Sequence, residues 1–130
     1  MKILVAKDAG YCFGVRDAVN LAKKSGEEYE SVFMLGDIVH NEDVVDDLNK
    51  SGSVVVNNLD EIPEDKPVLF RAHGTDPKIW KDAQKKKLNI IDATCPLVTE
   101  IHKEIKILES EGRRTIIIGD HNHDEVEGIA

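Results

Sequence analysis

Six short apolar runs alternate with stretches of helical pattern, and this alternation limits the chain to few folds. The runs are rich in β-branched residues and almost continuously apolar, as strands are when helices cover both faces of a sheet. Strands that alternate with helices predict an α/β fold with a largely parallel sheet and right-handed crossovers. The predicted strands are residues 2–7, 31–37, 53–57, 67–72, 88–92 and 114–120.

Four amphipathic stretches between these runs are predicted to be helices. Asp76 and Pro77 are typical of a helix start, because aspartate caps the first turn and proline suits the first helical position. The acidic segment 57–67 is predicted to be a surface loop that its two prolines help to fix. The last helix has an apolar face formed by Leu97, Val98, Ile101, Ile105 and Leu108. The predicted helices are residues 14–25, 41–50, 76–87 and 96–110.

Charge and hydropathy narrow the classes of partner. The formal net charge is −8, from 17 basic and 25 acidic residues, which argues against nucleic acid or an anionic membrane surface as the main partner. No run approaches the roughly 20 apolar residues of a membrane span, and the first residues do not form a signal peptide. The sequence therefore predicts a cytoplasmic protein, in which two cysteines more often bind metal or catalyse than form a structural disulfide.

The chain carries an internal repeat at an offset of 83 residues, the separation of Cys12 and Cys95. Eight of 31 positions are identical without a gap when residues 12–42 are laid on residues 95–125. The identities include a cysteine, a Gly-Asp pair, a histidine and a glutamate, so each copy ends in the pattern Gly-Asp-x-x-His-x-Glu. The pattern predicts two related α/β units, the second of which stops soon after its histidine.

Two cysteines and three histidines follow predicted strands. In parallel α/β sheets, ligands bind beyond the carboxyl ends of the strands, where helix N-termini supply N–H donors and partial positive charge. Such a cleft suits a diphosphate on an acidic protein, and it favours the thiolate form of cysteine that binds metals. The five residues are Cys12, His40, His73, Cys95 and His123.

Each candidate also has a simpler explanation. Cys12 and Cys95 could be buried thiols, a disulfide, or half of a zinc site with two histidines, although the C-x2-C spacing of common zinc folds is missing. His40 and His73 could be loop histidines bonded to backbone. His102 and His121 are interpreted as surface residues.

Glu42 and Glu125 each follow a histidine by two residues, ahead of a helix. A carboxylate in a first turn stabilises the helix dipole. The functional alternative is a proton donor beside a phosphate-binding imidazole.

Five segments together resemble the 4-hydroxy-3-methylbut-2-enyl diphosphate reductase (IspH or LytB) family. They are GYCFGV (10–15), VHN (39–41), AHG (72–74), DATCPLV (92–98) and GDHNHDEVEG (119–128). The resemblance is collinear over essentially the whole chain. It implies three α/β units in a pseudo-threefold arrangement around a 4Fe–4S cluster that is held by one cysteine from each unit.

The resemblance implies reductive removal of the hydroxyl of (E)-4-hydroxy-3-methylbut-2-enyl diphosphate, giving isopentenyl and dimethylallyl diphosphate in the non-mevalonate pathway. Electrons would come from a ferredoxin or a flavodoxin. By resemblance, Cys12 and Cys95 are two of the three cluster ligands. The open iron would bind the substrate's hydroxyl.

By resemblance, His40, His73 and His123 bind the substrate, mainly its diphosphate, and Glu125 relays a proton. One position departs from the family, which usually has His-Pro-Glu where this chain has Asp124 between His123 and Glu125. Aspartate also suits a helix start, so we expect the site to survive.

The resemblance also predicts how the chain divides. Residues 1–95 would be the first α/β unit, with residues 1–12 assigned to the sheet of a third unit. Residues 96–130 would be the truncated start of the second unit. Without the third cysteine, we expect this 130-residue piece to be inactive. Two alternatives remain, a non-catalytic module that binds a diphosphate or nucleotide, and a mononuclear zinc hydrolase.

Overall fold

A four-stranded parallel sheet forms the centre of the computed structural model, which describes residues 1–7, 9–120 and 123–129. The strands lie in the order β2-β1-β3-β4, and every neighbouring pair is parallel. The predicted α/β class with a parallel sheet is therefore confirmed. The strands are β1 (Val32–Leu35), β2 (Ser53–Val56), β3 (Pro67–Phe70) and β4 (Asn89–Asp92).

Helices begin where the sequence supplies caps. Asn41 accepts a hydrogen bond from the N–H of Val44 at 3.1 Å, and Asp76 accepts one from the N–H of Lys78 at 2.7 Å. Pro77 takes the first turn of its helix, as predicted. The four predicted helices all form, and a fifth follows His123. The helices are α1 (Phe13–Tyr29), α2 (Glu42–Lys50), α3 (Pro77–Lys85), α4 (Pro96–Ser110) and α5 (Asp124–Ile129).

The two faces of the sheet bury different apolar clusters, because successive side chains of a strand point to opposite faces. Val32 and Met34 of β1 pack with α1 and α2 on one face. Leu35 of β1 and Phe70 of β3 pack with α3 on the other. All four residues of β3 are buried, which makes it the most deeply buried of the four strands.

Two predicted strands do not form. Residues 2–7 and 114–120 pair with no other strand among the described residues, and Leu4 and Ile118 are 81% and 96% exposed. An apolar run becomes a strand only where a neighbour satisfies its backbone N–H and C=O groups. Neither run pairs with an edge strand of this sheet, so these two predictions were wrong for the chain as it stands.

The acidic segment 57–67 is not simply a surface loop. Leu59 and Ile62 are buried and belong to the apolar cluster on the α3 face. A single 3-10 turn at Leu59–Glu61 turns both side chains inward. The prediction missed this because two isolated apolar residues in an acidic stretch do not show a helical or strand period.

The predicted apolar face of α4 is largely uncovered. No residue of α4 is fully buried, and Leu97 and Ile101 are 54% and 49% exposed. Val98 and Ile105 are half-buried. No helix among the described residues is long and apolar enough to cross a membrane.

The helices follow the internal repeat, whereas the strands do not. Phe13 begins α1 and Pro96 begins α4, an offset of 83 residues, and each helix follows a cysteine at its N-cap position. The counterpart of β1 would be residues 115–118, which form no strand.

Candidate functional site

The candidate site lies between β1 and β3, where the connections from the two neighbouring strands run to opposite sides of the sheet. From β1 the chain continues to β2 on one side, and from β3 it continues to β4 on the other side. A crevice opens at such a switch point, at the carboxyl ends of the strands. His40 follows β1 and His73 follows β3, and their rings stack with centroids 4.7 Å apart and planes 9° apart. The sheet topology therefore brings these two histidines together, as the sequence predicted.

A cleft of about 340 Å³ collects most of the predicted site residues. This volume lies within the usual range of small-molecule sites. Val15, Val39 and Ala72 give part of the wall an apolar character. Five of the six candidates line the cleft, namely Cys12, His40, His73, Cys95 and Glu125.

His123 lies beside the same cleft. Its ring centroid is 6.3 Å from that of His40, with the planes tilted by 59°. Its Nδ1 accepts a hydrogen bond from the backbone N–H of Glu125 at 3.2 Å. The three predicted histidines are thus grouped around one opening, and Glu125 follows His123 into the first turn of α5.

Both cysteines are free thiols at helix N-termini. Cys12 is the N-cap residue of α1 and Cys95 is the N-cap residue of α4, and neither side chain makes a capping hydrogen bond. The N–H of Cys95 donates to the carbonyl of Ala72 at 2.7 Å, which ties it to the strand end that carries His73. A disulfide between them, one of the alternatives, is not formed.

Gly14 allows α1 to approach the second cysteine. A Cβ atom built at Gly14 would lie 2.5 Å from Sγ of Cys95 and 3.1 Å from its Cβ. A side chain at this position would therefore displace the thiol. Glycine keeps room for Cys95 in the cleft that it shares with Cys12.

The cysteine pair fits an iron–sulfur group. Thiolates are the ligands that hold such clusters, and here two unpaired thiols face one cleft in which Gly14 leaves space beside them. His40, His73 and Asp124 form a second set whose ligand atoms lie within 4.8 Å of one another. That set suits a cation poorly, because the carboxylate is already paired with Arg71 at 2.8 Å.

Two functional residues were missed by sequence reasoning. Oδ2 of Asp124 lies 2.8 Å from the guanidinium of Arg71 and 3.1 Å from Nε2 of His73. The sequence placed Asp124 only at a helix start, because nothing local connects it with a strand end more than fifty residues earlier. A charged residue directly after the buried strand β3 was the one available signal for Arg71.

At neutral pH we expect His73 to be a neutral imidazole, and its contact with Asp124 indicates which ring nitrogen carries the proton. Burial lowers the pKa of His73 most, the positive charge of Arg71 and the neighbouring His40 lower it further, and Asp124 only partly opposes this. A carboxylate paired with a guanidinium can only accept, so Nε2 of His73 must donate. The neutral ring therefore carries its proton on Nε2.

His102 is not the surface residue that the sequence suggested. Its ring is half-buried against Gly74 and Gly128, and among the described residues its Nε2 has no hydrogen-bond partner. It packs beneath the turn that carries His73 rather than in the cleft. His121 lies outside the described residues.

A larger cavity of about 570 Å³ lies on the other side of Arg71. It contains none of the six predicted residues. Its charged side chains largely pair with one another, with Lys86 2.6 Å from Asp60 and Lys85 2.8 Å from Asp82. We therefore place the candidate site in the smaller cleft.

Known proteins resemble this chain over almost its whole length. A family described as LytB protein matches residues 3–130. A 4-hydroxy-3-methylbut-2-enyl diphosphate reductase of Wolbachia pipientis wMel is 42% identical over 99% of this chain and 43% of its own length. One from Nitrosomonas europaea is 40% identical over 98% of this chain and 40% of its own length. The chain thus spans about two fifths of the curated relatives it matches.

Solved structures agree with the sequence comparison. The Plasmodium falciparum E-1-hydroxy-2-methyl-but-2-enyl-4-diphosphate reductase superposes with a TM-score of 0.90 and 35% identity, over 95% of this chain and 39% of that one. A second structure is described as the terminal enzyme of the non-mevalonate pathway. It gives a TM-score of 0.84 and 39% identity, over 98% of this chain and 45% of that one. The sequence match over almost the whole chain and these structures together show that the chain belongs to the LytB protein family.

Proposed function

We propose that this chain is the catalytic N-terminal part of a reductase that removes the hydroxyl of (E)-4-hydroxy-3-methylbut-2-enyl diphosphate. The products would be isopentenyl and dimethylallyl diphosphate, made by the non-mevalonate route. The observation that carries the proposal is the cleft, which gathers two free thiols, two stacked imidazoles and Glu125 at the carboxyl ends of parallel strands. Relatives that match the whole chain are named as reductases of this diphosphate.

Cys12 and Cys95 would hold a 4Fe–4S cluster, together with a third thiolate from beyond this chain. When bound, that group would pass on the donor's electrons one at a time and would supply a Lewis-acidic iron for the substrate oxygen. Each thiolate lies at a helix N-terminus, and Gly14 prevents α1 from displacing the second one. The protein's part is to fix two sulfur ligands on rigid helix starts that face one cleft.

The histidines would bind the diphosphate. The protein carries a net charge of −8, so an anion must be held by local donors rather than by the overall field. His40, His73 and His123 present three imidazoles around one opening. Helix N-termini at the same strand ends add N–H donors and partial positive charge.

Glu125 would supply a proton to the departing hydroxyl. The reaction consumes two electrons and two protons, breaks the allylic C–O bond, and releases water and the dehydroxylated diphosphate. Glu125 lines the cleft from the first turn of α5, two residues after His123. A positioned carboxylic acid of this kind contributes roughly 10²–10⁴-fold to a rate.

The proposal extends to partners and compartment. A ferredoxin or a flavodoxin would deliver the electrons. Both cysteines are free thiols, and thiols stay reduced in the cytoplasm, which we propose as the location. The 130-residue chain alone would not turn over substrate, because it carries two cysteines and the cluster needs three thiolates.

The test compares two glutamates of one helix in a longer form of the protein that spans the relatives' full length. Both glutamates are exposed, but Glu125 lines the cleft, whereas Glu127 lines no described cavity. We expect Glu125→Gln to lower kcat by roughly 10²–10⁴-fold while Glu127→Gln leaves it unchanged. Products are measured by mass spectrometry with a chemical reductant.

Two results would overturn the proposal. Unchanged kcat in Glu125→Gln would remove the proton donor. Binding of the substrate without any turnover by the longer protein would favour the diphosphate-binding module instead.

A further inference from the structure

We propose that Asp124 is a positioning residue that, with Arg71, clamps α5 to the end of β3 and fixes the ring of His73. Through this clamp it would place Glu125, the next residue, in the cleft. The role in turnover rests on the proposed function, whereas the clamp itself does not.

One carboxylate oxygen makes both contacts. Oδ2 of Asp124 lies 2.8 Å from the guanidinium of Arg71 and 3.1 Å from Nε2 of His73. The three side chains are 24%, 18% and 9% exposed, respectively. Charge-assisted contacts that are shielded from water are stronger and more directional than exposed ones. The oxygen therefore joins two residues of one strand end to the first residue of α5.

Helix α5 is too short to be stable without contacts to the rest of the chain. Helix α5 has six residues, and isolated helices shorter than about 12 residues are marginal in water. A second contact lies near the end of α5, where Gly128 is buried and a Cβ built on it would be 3.8 Å from the backbone nitrogen of Thr75. Helix α5 is thus held at its start by charge and near its end by packing, and Glu125 lies between the two points.

The partner surface is rigid. Arg71 directly follows β3, whose four residues are all buried. Its guanidinium also lies over Gly36, where a built Cβ would be 3.1 Å from NH1. Because these neighbours already restrict the Arg71 side chain, little conformational entropy is lost when its guanidinium pairs with a carboxylate.

The clamp also sets which nitrogen of His73 carries the proton. Because the carboxylate accepts, Nε2 donates and Nδ1 is the free acceptor of the neutral ring. The ring stacks on His40 at 4.7 Å, so its plane is fixed as well. The fixed plane and tautomer leave Nδ1 as the one atom available to a ligand, and it must take up a proton before it can donate to a diphosphate oxygen.

Two substitutions of Asp124 separate the role of its negative charge from the role of its hydrogen-bond acceptor. Proline suits the first helical position, so Asp124→Pro keeps the helix start and removes the carboxylate. Asp124→Asn keeps an oxygen that can accept from His73 but removes the negative charge. The control is Glu127→Gln, which removes a carboxylate from an exposed position on the same helix.

The first two measurements are the tautomer of His73 and amide exchange in α5, and neither depends on substrate or on activity. In the full-length protein with ¹⁵N-labelled histidine, we expect His73 to be protonated on Nε2, to remain so in Asp124→Asn, and to become a tautomer mixture in Asp124→Pro. The Glu127 N–H, which donates to the carbonyl of His123 at 3.0 Å, should exchange with solvent at least about tenfold faster in Asp124→Pro. Glu127→Gln should leave the His73 tautomer unchanged, and the protection of its residue-127 N–H, after correction for the intrinsic exchange rate of glutamine, should also be unchanged.

Turnover is the second readout. We expect kcat to fall at least about tenfold in Asp124→Pro with a smaller change in KM, because Glu125 acts in the chemical step. An unchanged tautomer and unchanged exchange in Asp124→Pro would overturn the clamp. A disturbed tautomer in a protein without reductase activity would keep the clamp and reject the proposed function.

Discussion

Gly14→Ala should empty the candidate cluster site while costing little stability. The added Cβ would lie 2.5 Å from Sγ of Cys95, about 1 Å closer than the roughly 3.5 Å at which non-bonded atoms first sit comfortably. Overpacking costs about 1–3 kcal/mol, and a thiol that can rotate places this case at the low end. Alanine in a helix returns up to about 1 kcal/mol relative to glycine. The free energy of unfolding should therefore change by under about 1 kcal/mol, while the thiol leaves its position.

Gly26→Ala is the matched control in the same helix. A Cβ at Gly26 would collide with the backbone carbonyl oxygen of Ser51, which cannot rotate away. The full cost of overpacking then applies, so we expect a loss of about 2 kcal/mol after the gain in helix propensity. Residue 26 lines none of the described cavities, so the cysteines should be undisturbed.

The two variants should show opposite profiles. Urea unfolding of each variant gives the change in stability, and iron per folded molecule in the anaerobically purified full-length protein gives the state of the cluster site. We expect Gly14→Ala to lose most of its iron with little loss of stability, and Gly26→Ala to lose stability and keep its iron. Full iron content in Gly14→Ala would show that the cluster does not need Cys95 where the structure places it.

Three further predictions concern His73 and the core. The pKa of His73 is lowered in the folded chain by burial, Arg71 and His40 from the ordinary value of 6.5. The unfolded chain therefore binds this proton more readily than the folded chain. The contribution of His73 to the free energy of unfolding should fall as the pH drops below 6.5 and level off below the folded pKa. Urea unfolding at several pH values should show a smaller fall in the free energy of unfolding for His73→Gln than for the unchanged protein. Binding of inorganic diphosphate at neutral pH should take up about one proton at His73, and calorimetry in two buffers of different ionisation heat should show no uptake in His73→Gln. Phe70→Ala should lower the free energy of unfolding by about 3–5 kcal/mol, because Phe70 is fully buried. The control Val54→Ala, at a 41% exposed position of β2, should lower it by under about 1 kcal/mol. Equal losses in the two variants would show that the core is wrongly assigned.

The fold was predictable where local patterns determine it. The strands β1 to β4 and the helices α1 to α4 follow from apolar periodicity, and Asp76-Pro77 marked a helix start that the structure confirms. The runs at 2–7 and 114–120 have the same composition as true strands. What they lack is a neighbouring strand, and that property belongs to the whole sheet rather than to the run.

The site was predictable in its residues and only partly in its connections. Polar residues after parallel strands converge at one edge of the sheet, so the cleft follows from strand order once the histidines are known to follow β1 and β3. The bond from Asp124 to Arg71 and His73 could not be predicted, because it joins positions about fifty residues apart without a local signal. Gly14 was equally hidden, since its role appears only when α1 and Cys95 are seen side by side.

The proposed function depends most on Cys12 and Cys95, which would hold an iron–sulfur cluster in the full-length form. The most direct measurement is iron and acid-labile sulfide in anaerobically purified protein, for the full-length form, its Cys12→Ser and Cys95→Ser variants, and the 130-residue chain. We expect iron and sulfide in equal amounts in the full-length form and little of either in the other three. Full iron and sulfide in both serine variants would contradict this role of the two cysteines.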